Sequence, residues 1–144
     1  MIGIAMTGCK HSEPHALVDG TSGRFHVGER WSYKTRPGEE GSQITVVKID
    51  SNPSLGVILH VSIDGLRIRN PTAPGGYADK IGHMPMAEAA VDKSVTTMVS
   101  ESATLPNFQD GYDQWRAAFD QGKAGVFTVT IAEAVGSMEA VLNK

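Results

Sequence analysis

The feature that most constrains the fold is a block of β-type sequence in the first half. QITVVKID (43–50) is β-branched and reads as a strand. SNPS breaks it, and LGVILHVSIDGLRIRN (55–70) follows. Period-2 alternation places Val57, Leu59, Val61 and Ile63 on one face, with Ile58, His60 and Ser62 on the other. Asp64-Gly65 is the residue pair of a type I′ turn, so the spacing predicts a hairpin across it. Upstream, Trp31 and Tyr33 lie two apart and share a face of a strand expected over about 29–36. Pro37-Gly38 and Gly41 mark the turn that follows. These strands make an antiparallel meander.

The second half changes character. PTAPGGYADKIGH (71–83) is the longest irregular stretch, a loop either functional or mobile. Pro85 suits a helix start, and Val91, Val95, Met98 and Val99 then form a helical stripe. Phe108, Tyr112, Trp115 and Phe119 form a second, aromatic stripe, read as core rather than ligand platform, with Gly122 placed as its C-terminal cap. VFTVT (126–130) reads as a short strand joining the sheet. Thr130 and Glu133 have capping-box spacing before a stripe of Ile131, Val135, Met138 and Leu142. Strands come early and helices late. The expectation is therefore α+β: an antiparallel meander of about four to five strands with about three helices on one face.

Composition narrows the function classes. The 144 residues suit one domain, and a formal charge of -3 gives no nucleic-acid signature. No stretch approaches the roughly 18–20 apolar residues of a membrane span. The single cysteine, Cys9, excludes an intramolecular disulfide. There is no G-x-S-x-G elbow, H-E-x-x-H, P-loop or G-x-G-x-x-G, so no motif names a catalytic residue, metal or cofactor.

Met6-Thr7-Gly8-Cys9 resembles the lipobox of bacterial lipoproteins. That resemblance implies a lipidated Cys9, a membrane anchor and a periplasm-facing place in the cell envelope. Only MIGIA precedes the box, so a full signal peptide requires a start upstream of Met1. Residues 10–23 are polar, without periodicity, and read as a flexible tether to a domain over 24–144. Two other readings of Cys9 stay open. One is a chance cysteine in a loose terminus. The other is a metal site, because Cys9, His11 and His15 are zinc ligand types in C-x-H-x3-H spacing, although His26, His60 and His83 are too scattered to complete it.

WSYKTRPGEE and LPNFQDGYDQWRAAFDQGKAGVF resemble a family of small uncharacterised bacterial proteins, a likeness covering most of 27–144. It implies no activity. Candidate binding residues are Arg36, Glu39 and Glu40 at the turn, His60 in mid-strand, and Tyr77 and His83 in the 71–83 stretch. His60 is either a base or ligand, or a buried histidine with a hydrogen bond. The first functional reading is a non-enzymatic envelope protein that binds another protein, such as an immunity protein neutralising a toxin. The alternatives are a hydrolase or ligand-binding enzyme using His60 or His83, or a cytoplasmic interaction domain.

Overall fold

The computed structural model describes residues 16–144. Cys9, the lipobox-like residues, His11 and His15 lie outside them. The described chain runs β1 (Val18–Asp19), β2 (Arg30–Tyr33), β3 (Gln43–Asn52), β4 (Gly56–Asp64), β5 (Ile68–Arg69), β6 (Tyr77–Ala78) and β7 (Ile81–Ala87). It continues through α1 (Glu88–Ser94), β8 (Val95–Ser100), α2 (Gln109–Asp120) and α3 (Ile131–Leu142). The main sheet has the order β7-β4-β3-β2-β8, antiparallel throughout, with β1 added beside the far end of β3. The fold is α+β, with three helices on an antiparallel sheet.

The folded body reaches further back than Arg24. Val18 and Asp19 pair with Ser51 and Asp50, and the Asn52 amide donates to the Ala16 carbonyl at 2.9 Å. Ser22 is buried, donates to the Glu88 carboxylate, and accepts from the backbone N–H groups of Arg24 and Phe25. Residues 16–23 are thus docked rather than a tether. A two-residue strand is too short to leave a periodic signature.

The Asp64-Gly65 hairpin does not form. Gly65 has the expected left-handed backbone, φ 66°, and a Cβ there would lie 2.9 Å from Ser42 Cα. The chain leaves the sheet instead. Leu66 N–H donates to the Asp79 carbonyl, and β5 pairs with β6 as a separate ribbon. β7 takes the place beside β4, setting Met86 and Met84 opposite Leu59 and Val61. That apolar match is longer than Leu66-Arg67-Ile68 can offer. So 71–83 contains a 3₁₀ turn (Pro74–Gly76), β6 and the start of β7 rather than one loop.

Pro85 lies within β7 opposite His60, and the helix after it covers only Glu88–Ser94. The stripe Val91, Val95, Met98, Val99 is split between α1 and the edge strand β8, whose VTTMVS sequence favours an extended chain. Of 126–130, only Phe127 reaches the sheet, exchanging backbone bonds with Pro85 and Ala87 through a parallel bridge at Met86. α2 ends as expected. Gly122 (φ 73°) donates to Phe119 and Lys123 to Ala118, a Schellman motif. α3 begins with the complete Thr130–Glu133 capping box.

The helices occupy both faces. Leu59, Val61, Ile63, Met84 and Met86 share one core with Val91 of α1 and Ile131 and Val135 of α3. The opposite face of β4 is also buried at Ile58, His60 and Ser62, because α2 lies over it. The expectation of all helices on one face is corrected there.

Candidate functional site

A bulge in β3 builds the centre of the α2-covered face. Val46 pairs with Val61, but two residues later Lys48 pairs with His60, so Val47 is extra. An inserted residue reverses the alternation of everything after it. Ile44 and Val46 therefore point to the main core, whereas Lys48 and Asp50, also even-numbered, point to the α2 side. There Asp50 meets His60 from β4 and His83 from β7, and α2 closes over them with Tyr112 and Trp115.

Every proton in this cluster is directed toward Asp50. His60 Nε2 lies 3.0 Å and Tyr112 Oη 2.7 Å from the same oxygen, Asp50 Oδ2. A carboxylate only accepts, so His60 carries its proton on Nε2 and Tyr112 donates. In the neutral ring, His60 Nδ1 is then an acceptor, and His83 Nε2, 2.8 Å away, donates to it. Arg116 donates to Tyr112 Oη at 3.1 Å. Among the described residues no donor reaches His83 Nδ1, so its lone pair ends the chain. The rings pack tightly: His60 and His83 stack at 5.0 Å, and Tyr112 and Trp115 each meet His60 edge-on at 4.9 Å. Gly111 allows the approach, since a Cβ there would lie 2.9 Å from His83 Cβ.

The electrostatics follow from burial. His60 and Asp50 are 0% and 1% exposed. Burial pushes His60 below the usual histidine value, against the opposing pull of Asp50. Burial, with His60 beside it, lowers His83 to about 4. Burial alone would raise Asp50, but the bonds from His60 and Tyr112 hold it below the ordinary carboxylate value. Tyr112 is pushed up to about 12 by burial and by donating to Asp50. Near neutral pH the cluster is thus an aspartate anion with two neutral imidazoles and a neutral phenol, and Lys48 Nζ lies 3.6 Å from Asp50 Oδ1. Asp50, His60 and His83 spend their facing atoms on one another. Among the described residues no group of three His, Cys, Asp or Glu side chains is placed to hold a metal ion.

The structure brings His60 and His83 together and sets the other candidates apart. Arg36 binds Glu39 through Nε and Nη2 at 2.9 and 2.8 Å and reaches Glu139 of α3 at 2.9 Å. Glu39 is buried and also accepts from Arg67 N–H, so this pair ties a turn to the body. Burial alone would raise Glu39, but Arg36 and the Arg67 N–H bring it below its ordinary value. Glu40 is exposed, and its carboxylate accepts from the Gly38 N–H and from its own N–H. Tyr77 is exposed beneath the Arg67 guanidinium, 4.5 Å from the ring centroid. These residues cluster at a different edge from the histidines.

Beyond His60 on the same face, a cleft of about 400 Å³ opens beside Ser62 and Gly82. Arg30, Thr45, Asp64, Lys80 and Asn107 supply its polar groups. Arg30 bonds Gln43, Thr45 and Asp64 across its floor. Sequence reasoning missed this cleft and Asp50. The β3 bulge that re-aims Asp50 has no sequence signal, and Arg30, Thr45 and Ser62 become neighbours only through strand register. Tyr112 was legible only as one member of an apolar stripe. No protein-family model, curated protein or solved structure matches the chain.

Proposed function

We propose that the chain is a small, non-enzymatic binding protein of the cell envelope, held on a membrane through a lipid on Cys9, whose folded body docks another protein. Its concrete form is an immunity-type protein whose partner is a toxin. The observation that carries the binding half is the contrast between the two parts of the α2 face. Asp50 and His60 are buried and, with the half-buried His83, spend their facing atoms on one another, which suits a pin between helix and sheet. The neighbouring cleft is open and lined by polar and charged groups, with Lys80 and Asn107 exposed. Such a rim suits recognition of a polar protein surface. The anchor rests on Met6-Thr7-Gly8-Cys9 alone.

A competition assay tests this reading. Cells lacking the gene are expected to be killed by neighbours of the same strain. The wild-type gene restores survival, whereas Lys80→Glu with Asn107→Asp, or Cys9→Ser, does not. Equal survival with and without the gene contradicts the immunity role. One observation favours the alternative, a hydrolase: among the described residues the Asp50–His60–His83 chain ends in an unpartnered acceptor, His83 Nδ1, as a proton relay would. Turnover of an ester or amide substrate by the wild type, abolished in His83→Gln while the cleft variant retains it, would replace binding by catalysis.

A further inference from the structure

The chain enters the described body at one end of the sheet. Asn52, buried at the close of β3, holds that entry: its Nδ2 donates to the Ala16 carbonyl at 2.9 Å. Its Oδ1 accepts from the N–H groups of Ser54 and Leu55 at 2.9 and 2.8 Å. One side chain thus ties residue 16 to the β3–β4 turn. The surface around this tie is uncharged and partly apolar. Residues 51–57 carry no charge, and Val18 and Leu55 are 65% and 46% exposed. Asp19, beside Val18, is paired with Lys48 Nζ at 3.3 Å. The polar cleft lies at the opposite end of the same two strands, where Thr45 pairs with Ser62. From Asn52 back to Thr45, β3 covers about 20 Å.

We propose that the β3–β4 turn, with Val18 and Leu55, is the face that meets the lipid surface, so that the cleft points away from the membrane toward an arriving partner. The inference rests on the anchored reading of Cys9 and names the orientation that such an anchor imposes. Six residues separate Cys9 from Ala16. Fully extended, the path from Cys9 to Ala16 reaches about 25 Å. A lipid on Cys9 therefore keeps residue 16, and the turn that Asn52 ties to it, within that distance of the bilayer. Val18 and Leu55 can then enter the boundary between headgroups and acyl chains, where exposed apolar side chains are stabilised. The turn between them brings no charge out of water, so its approach carries no ionic desolvation cost. The reverse orientation is disfavoured twice. It leaves Val18 and Leu55 in water and presses the charged rim of the cleft, with Lys80 and Asp64, toward the lipid. It also lifts the turn by about 20 Å, close to the full reach of the linking residues, which stretches them at a cost in chain entropy.

The test uses the full chain, whose single cysteine is Cys9, coupled to a maleimide phospholipid on phosphatidylcholine nanodiscs that contain a gadolinium-chelate lipid. The readout is paramagnetic broadening of the backbone amides by NMR. The amides of Val18, Ser54 and Leu55 are expected to broaden far more than those of Lys80 and Asn107. Leu55→Asp changes an exposed side chain and leaves the core intact, and it is expected to cut that excess about tenfold, whereas Leu55→Met retains it. Equal broadening at both ends overturns the orientation. So does greater broadening at Lys80 and Asn107, or a wild-type pattern that Leu55→Asp leaves unchanged. Because the lipid is attached chemically, those results leave the anchor itself standing. The anchor fails separately, when mass spectrometry of the protein from its own cells finds Cys9 as a free thiol, and the orientation then falls with it.

Discussion

His83 makes stability acid-sensitive in a way that can be calculated. Its folded value is about 4, set by burial and by His60, against about 6.5 for a free imidazole. The folded state thus resists a proton that the unfolded chain accepts. The contribution is fully present above pH 6.5, falls as the pH drops, and stops falling below about 4. At about 1.4 kcal/mol per pH unit, the interval amounts to about 3 kcal/mol, of which about 2.5 kcal/mol is lost by pH 4.5. Part of the ring meets solvent, which reduces the expected loss to about 2 kcal/mol. The geometry gives the same sign. The 2.8 Å contact between His60 Nδ1 and His83 Nε2 needs one nitrogen without a proton, and Arg116 and Lys48 add positive charge nearby. His83→Gln keeps a donor for His60 but cannot titrate. Urea unfolding at pH 7.5 and 4.5 is the assay. Stability should fall by about 2 kcal/mol more in the wild type than in His83→Gln, since the acid loss from carboxylates is common to both. Equal losses would refute the half-buried, neutral His83.

Asp50→Ala leaves His60 Nε2–H and the Tyr112 hydroxyl without their acceptor beneath α2. It should cost about 3–5 kcal/mol in urea unfolding, and a cost below about 1 kcal/mol would show that the cluster is not a pin. Arg36→Ala strands the buried Glu39 carboxylate and should cost about 2–4 kcal/mol, more than Glu40→Ala, which should be near neutral. Gly20→Val would drive its Cβ to 2.8 Å from the Asp50 carbonyl carbon, so β1 should detach and the amide of Ser51 should exchange faster with solvent deuterium. Thr130→Ala removes the capping box and should lower stability by about 1 kcal/mol.

The parts of the fold legible in the sequence are those set by local chemistry. The stripe from Phe108 to Phe119, the Gly122 cap and the Thr130–Glu133 box each act within a few residues, and each is present. Trp31 and Tyr33 share a buried face as their spacing requires. What was not legible depends on distant competition. Asp64-Gly65 has the turn residues, yet β7 outcompetes the expected hairpin partner for the place beside β4. Val95 to Val99 satisfies a helical stripe and a strand equally well, and pairing with β2 decides it. His60 was visible as an odd polar residue within an apolar strand, and the reading of a buried, hydrogen-bonded histidine is the one its geometry matches. Its acceptor was invisible, because the bulge at Val47 reverses which face Asp50 joins.

The central claim is that Asp50, His60 and His83 form one hydrogen-bonded unit with every proton directed toward Asp50. Long-range ¹H–¹⁵N NMR of the imidazole rings tests it most directly. At pH 7, His60 and His83 should both be neutral and protonated on Nε2, with the His60 Nε2 proton slow to exchange. Neither ring should titrate near 6.5. A His60 ring that carries its proton on Nδ1, or a His83 ring that titrates near 6.5 with fast proton exchange, would contradict the account.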